Sequence, residues 1–317
     1  MACQKLGTPT QFERSTLETV CLGGLSSRSR FIGGGAQLVL GEMLPSCYLF
    51  VPADQPTMLE KAPGRGAGAL IIDAEDAVAA SERPAALAMA ARWIREADTT
   101  EVERWVRIPN EAPTVEIAAI VSPGLTGVVI PKVRRDVDVV EAVAALRQTA
   151  GGQPARVIAL IETAQGLQNV ERIASIPGVD RLMSGEVDMA AELGIAPDEE
   201  SAWWPVRSRI VVASAAAGLA GPIGPVSPDI SVDSGLEDVA RRLRRHGFRA
   251  GAAIHPHQIG PYSRAFAPEA DDLAAARRIV ERFEAALGEG RGVIVDDDGR
   301  MVDEAMVKSA RRLLDEV

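Results

Sequence analysis

The chain is poor in the residues that build most zinc, redox and disulfide centres. It holds three cysteines (Cys3, Cys21 and Cys47) and three histidines in 317 residues. No two cysteines form a C-x-x-C pair, which argues against a zinc ribbon or a thiol redox centre, so the thiols read as reduced, cytosolic ones. No apolar run approaches the ~20 residues that span a bilayer, and the start lacks a basic stretch followed by a continuous apolar one. A cytoplasmic protein with no membrane partner is expected. Basic residues are also outnumbered, 34 Lys and Arg against 44 Asp and Glu, for a net charge of −10. That balance argues against a phosphate-tracking surface, and no nucleic-acid partner is expected. No serine stands in a G-x-S-x-G setting, which argues against a serine hydrolase.

What is present is globular: 47% hydrophobic and 25% charged residues, enough for a sizeable core. Residues 1–42 differ from the rest, rich in Ser, Thr, Gly and Arg, with GGG at 33–35. They read as a loose extension that need not be native, with translation expected to start near Met43. From residue 48 onward, short β-branched or apolar runs alternate with Ala-rich helical stretches. The runs fall at 48–52, 69–73, 105–109, 127–131, 156–161, 181–184, 223–226 (the weakest) and 251–255. Eight strands, buried on both faces and separated by helices, predict a TIM (β/α)8 barrel over 43–265. A doubly wound sheet fits less well, because no G-x-G-x-x-G follows the first run. Beyond the barrel, 266–317 predicts an amphipathic helix at 268–287, a turn-rich segment and a last helix. The acidic triplet at 296–298 before Gly299 lacks calcium-loop spacing and reads as a hairpin turn.

Acidic residues recur where a barrel builds its active site, at or just past strand C-termini: Asp73, Glu75 and Asp76 in IIDAEDAV, Glu162 in ALIETAQG, and Asp188 in LMSGEVDMA. Converging carboxylates repel, and a divalent ion is the simplest way to neutralise them. All-oxygen donors without a His/Cys cluster point to Mg2+. The alternative is that each acid caps the helix that follows its strand. Arg107, within WVRIPN, needs an anionic partner if it points into a barrel. A substrate carboxylate or developing enolate would serve, or an internal salt bridge to one of these acids. His255 and His257 flank Pro256, so a structural role at a strand terminus is expected of them, although a metal pair is conceivable.

The strings YLFVPADQPTMLEKA, ALIIDAEDAV, VRIPN, VVIPKV, ALIETAQGLQNVERIA, SGEVDMAAELG, GFRAGAAIHPHQI and DGRMVDEAMVKSARRLL follow one another in this order. In that order the chain resembles the citrate lyase β-subunit-like CoA ester lyases of the HpcH/HpaI aldolase superfamily, from about residue 47 to 317. The resemblance implies a Mg2+-dependent carbon–carbon lyase that cleaves or forms a 3-hydroxyacyl-CoA thioester, such as malyl- or citramalyl-CoA, with acetyl-CoA and a 2-oxoacid as the other side of the reaction. It implies Glu162 and Asp188 as metal ligands and Arg107 as a substrate contact, with Asp73, Glu75 and Asp76 supporting metal-bound water. It implies Asp303 as acid/base, on a C-terminal lid over the mouth of a neighbouring subunit in a homo-oligomer, trimer or hexamer.

The chain departs from that pattern at several points. Pro109 is inserted before Asn110. Of two basic positions expected to contact CoA phosphate, Arg83 fills the first and Leu87 the second. Gly224 stands where an aspartate is usual in the seventh strand. Two rival readings follow: a metal-dependent aldolase acting on free hydroxy-oxo acids, and a noncatalytic CoA-ester-binding homologue.

Overall fold

A computed structural model describes residues 44–96, 102–109, 113–149, 156–196, 199–232, 235–296 and 299–315. The expected N-terminal extension and Asn110 lie outside the described residues. Eight parallel strands close on themselves in sequence order: β1 Cys47–Pro52, β2 Ala69–Asp73, β3 Glu103–Arg107, β4 Gly127–Ile130, β5 Val157–Ile161, β6 Val179–Ser184, β7 Ile223–Val226 and β8 Ala250–Ala253. This is the expected TIM barrel. All eight expected runs are strands, with ends displaced by one or two residues except for β2 and β7, which coincide with the expectation. The helices are α1 Pro56–Lys61, α2 Arg83–Glu96, α3 Pro113–Ile120, α4 Asp136–Thr149, α5 Ala164–Gln168, α6 Val170–Ala174, α7 Glu186–Leu193, α8 Glu200–Ala216, α9 Leu236–His246 and α10 Ile259–Phe266. Among the described residues no helix is long and apolar enough to cross a membrane.

Alternation along each strand divides the core into two layers. On β2, Leu70 and Ile72 face the helices, while Ala69 and Ile71 join Tyr48, Trp105, Val129, Ile158 and Leu160 inside the barrel. The N-terminal end of the interior is closed by Arg181, fully buried, which donates to Gly221 O at 2.7 Å and to the Tyr48 hydroxyl at 3.1 Å. A charged side chain is tolerated there because its donors are met. The next inward positions, toward the C-terminal end, carry the polar residues of the mouth.

After α10 the chain builds a smaller unit from α11 Ala270–Gly288, a two-stranded hairpin of β9 Ile294–Val295 and β10 Met301–Val302, and α12 Glu304–Leu314. Phe283, Ala286, Ile294, Val302 and Val307 form its own apolar cluster, separate from the two barrel layers. The strands β9 and β10 pair antiparallel, with Asp296 N donating to Arg300 O at 2.8 Å, and residues 297–298 of the expected turn lie outside the described residues.

Tight packing of α10 on the barrel depends on a missing side chain. A Cβ on Gly251 would lie 2.2 Å from Cδ1 of the buried Tyr262 ring. Gly251→Ala is therefore expected to lower stability by about 1–3 kcal/mol through overpacking. Urea unfolding monitored by tryptophan fluorescence checks this, and an unchanged midpoint would contradict it.

Candidate active site

Register sets the first contact of the mouth. Asp73 and Arg107 end neighbouring strands as direct Cα partners, and both point inward. Their side chains form a fork: Arg107 Nε donates to Asp73 Oδ1 at 2.7 Å and Nη2 to Oδ2 at 2.6 Å. Nη1 lies 3.3 Å from Glu75 Oε2 and 3.5 Å from Asp76 Oδ2, and the guanidinium stacks 5.1 Å above the Phe50 ring. Of the two partners expected for Arg107, the internal salt bridge is thus present. Burial works against the guanidinium's charge, but the surrounding carboxylates outweigh it and raise the pKa.

Lys132, to which the sequence reading gave no role, joins three of the acids. Its Nζ donates to Glu75 and, at 2.9 Å, to Asp76, while its backbone N donates to Glu162 Oε1 at 2.7 Å. It is the one non-glycine residue with positive φ among those described, at 50°. Such a conformation is disfavoured for a lysine, and here it aims the amide and the ammonium at different carboxylates. Burial first, then the neighbouring Asp76, raise the pKa of Glu75 against the pull of Lys132 and Arg107. For Asp76, burial is outweighed by the hydrogen bonds with Lys132 and Glu75, and the pKa is lowered.

Glu162, directly after β5, is buried, and its Oε2 is bonded to none of the described residues. Its pKa is pushed up to about 7, by burial first and then by the charges of Asp188 and Glu75 against the amide of Lys132 and the charge of Arg107. Asp188, in the first turn of α7 and exposed, is therefore close enough to repel it. A close approach makes the arrangement possible: a Cβ on Gly185 would lie 2.4 Å from Glu162 Cβ and 2.7 Å from Oε2. Neither acid is an N-cap residue, although Asp188 stands in the first turn of α7, where a carboxylate also meets the helix dipole. The N-caps of α5 and α7 are Thr163, which accepts from Gly166 N, and Gly185, which has no side chain.

The remaining expected residues lie elsewhere. Asp303 caps α12, accepting from Met306 N at 3.1 Å, and belongs to the separate C-terminal unit. Arg83 opens α2. Leu87 is buried in the layer between barrel and helices. A side chain at Gly224 would meet Leu243 and Phe248 in that same outer layer, so the missing aspartate is not a loss from the mouth. His255 accepts from His257 N through Nδ1, closing a single helical turn after β8. Among the described residues no group of three or more His, Cys, Asp or Glu is placed to hold a metal.

A family model described as HpcH/HpaI aldolase/citrate lyase matches residues 46–256. The (3S)-malyl-CoA thioesterase of Cereibacter sphaeroides is 32% identical over 271 residues, covering 84% of this chain and 92% of that protein. A citrate lyase subunit beta-like protein of Mycobacterium tuberculosis is 32% identical over 277 residues, covering 84% and 93%. Among solved structures, CitE of M. tuberculosis in complex with magnesium, acetoacetate and coenzyme A matches with a TM-score of 0.69 at 29% identity, over 86% of this chain and 97% of that one.

The raised pKa of Glu162 has a consequence for stability. Folded Glu162 keeps its proton up to about pH 7, whereas the unfolded side chain loses it near 4.5. The unfolded state thus binds fewer protons between these values, and stability falls as pH rises through them. Glu162→Gln removes that cost. In metal-free buffer the variant should be more stable than the unaltered protein at pH 8, by about 3 kcal/mol, with the gap closing by about pH 4.5. Equal urea midpoints at pH 8 would contradict the assignment.

Proposed function

Because the chain belongs to the HpcH/HpaI aldolase/citrate lyase family, a family of lyases, we propose that it is a Mg2+-dependent carbon–carbon lyase acting on a 3-hydroxyacyl-CoA thioester of the malyl or citramalyl type. The observation that carries this reading is the buried Glu162 carboxylate at the barrel mouth, whose pKa burial and the nearby charge of Asp188 raise and which, among the described residues, accepts a hydrogen bond only from the backbone amide of Lys132. Two carboxylates suit Mg2+, which keeps several waters and is bound through one or two such groups. Among the described residues no His or Cys joins them in a group of three, which favours a hard ion over a sulfur- or imidazole-seeking one.

Glu162 and Asp188 would hold the ion, and Asp73, Glu75 and Asp76 would order the water around it. When bound, the ion supplies Lewis acidity to the carboxylate and hydroxyl oxygens of the acyl group. Transfer of the hydroxyl proton to the water that Asp73, Glu75 and Asp76 would order then lets the carbon–carbon bond break, giving a 2-oxoacid and the enolate of acetyl-CoA. Arg107, held rigid by Asp73, keeps positive charge beside the developing enolate without reorganising. Asp303 would protonate the enolate carbon, carried over the mouth by the C-terminal unit of a neighbouring copy in a homo-oligomer. In reverse the same carboxylate takes a proton from the acetyl methyl. Arg83 would meet a phosphate of CoA.

The test is product analysis with malyl- and citramalyl-CoA, reading acetyl-CoA, free thiol and 2-oxoacid separately, since relatives carry both thioesterase and lyase names. Acetyl-CoA with glyoxylate or pyruvate is expected, and chelation should abolish it. Asp188→Ala should lower turnover roughly a hundredfold or more with the fold intact. Normal turnover by that variant, release of free CoA with the intact hydroxyacid, or cleavage of the free acids at the same rate would each contradict the reading.

A further inference from the structure

Helix α7 carries Asp188, yet its packing holds it weakly. Of its eight residues only Met189 is buried, and Val187 and Leu193 are exposed. Burial of one methionine does not offset the ordering of eight residues. Its N-cap, Gly185, has no side chain to close the first turn, and the Gly185 N bond to Ile161 O, at 2.9 Å, secures the chain only up to the residue before the helix. Toward the C-terminal end, Glu192 accepts from Ala164 N at 3.0 Å.

The firm tie is at the other end. Arg207 Nε donates to Glu186 Oε1 at 2.7 Å and Nη2 to Oε2 at 2.8 Å, two parallel bonds onto the first residue of α7. Arg207 is 3% exposed and belongs to α8, a helix of seventeen residues anchored by Trp203, Val206, Ile210 and Ala213. Its guanidinium stacks 4.8 Å above the Trp204 ring, and Nη1 also donates to Glu200 Oε1. A fork that is stacked, paired and desolvated is stiff in a way an exposed ion pair is not.

We propose that Arg207 is a positioning residue for Asp188: its fork with Glu186 fixes the first turn of α7 and so sets where Asp188 stands relative to Glu162. The inference rests on reading Glu162 and Asp188 as the metal pair. Arg207 bonds to Glu186 and Glu200, with no bond to Glu162 or Asp188 among the described residues. Its effect passes through Glu186 and two residues of backbone, so lysine is no substitute, because an ammonium keeps the charge but loses both the fork and the planar stack.

The experiment titrates Mn2+ into the chelator-treated full chain and follows the free ion by electron paramagnetic resonance, with circular dichroism reporting the folded fraction. Arg207→Lys, Arg207→Met and Glu186→Gln should each raise the Kd for Mn2+ by about tenfold or more in the folded protein. The double variant Arg207→Met/Glu186→Gln should be no weaker than the weaker single, because both changes break one fork. A purely structural role would lower the unfolding midpoint and leave the Kd of the folded protein unchanged. Values within about twofold for Arg207→Lys and Glu186→Gln, or losses that multiply in the double variant, overturn the proposal. Glu186→Gln, nearly isosteric, carries the test if Arg207→Met does not fold. Asp188→Ala separates the two levels. If it leaves Mn2+ binding unchanged, the metal reading falls; if it abolishes binding while the Arg207 and Glu186 variants bind normally, only the positioning role falls.

Discussion

Carboxylates gathered at one end of a parallel barrel repel one another, and the form of this mouth follows from how that repulsion is met. Asp73, Glu75 and Asp76 are met by the protein's own cations, Arg107 through a fork set by strand register and Lys132 through its ammonium. Among the described residues Glu162 and Asp188 have no cation hydrogen-bonded to them, and Glu162 feels Arg107 only through its charge. Glu162 is left with a backbone amide as its hydrogen-bond partner and a pKa near 7. Among the described residues, the Glu162 carboxylate is thus left without a cation hydrogen-bonded to it, beside the charge of Asp188. That is the electrostatic condition for holding a small divalent ion in one place.

The barrel was legible because its signals are local and repeated. Most strands centre on a short apolar run buried on both faces, and in β2 all five residues of Ala69–Asp73 are buried. Even β7, weakened by Gly224 and Pro225, was located by its place in the alternation. Strand ends were less legible. β3 begins at Glu103, two residues before the apolar run, because register against β2 pairs Glu103 with Ala69 whatever its polarity.

The site was legible in its acids and not in what holds them. A carboxylate just past a strand end announces itself, whereas Lys132 follows β4 as an ordinary-looking Pro-Lys. Its role depends on a left-handed backbone that sequence does not display, although surplus acid at the mouth was a signal that a second cation had to be near. Arg207 was less visible still. Its partner Glu186 is 21 residues away, on a different helix. Gly224 illustrates the opposite error, a departure that drew suspicion as a lost acid but whose side chain would face Leu243 and Phe248 in the outer layer.

On the proposed reading, Glu162 and Asp188 grip one cation between them. Anomalous X-ray scattering from crystals of the full chain soaked in Mn2+ tests it most directly. The expected result is a single strong peak at the C-terminal mouth of the barrel, about 2.0–2.3 Å from an oxygen of each residue. A peak that touches only one of them, a peak at Asp73, Glu75 and Asp76 instead, or no peak at the mouth would contradict the account.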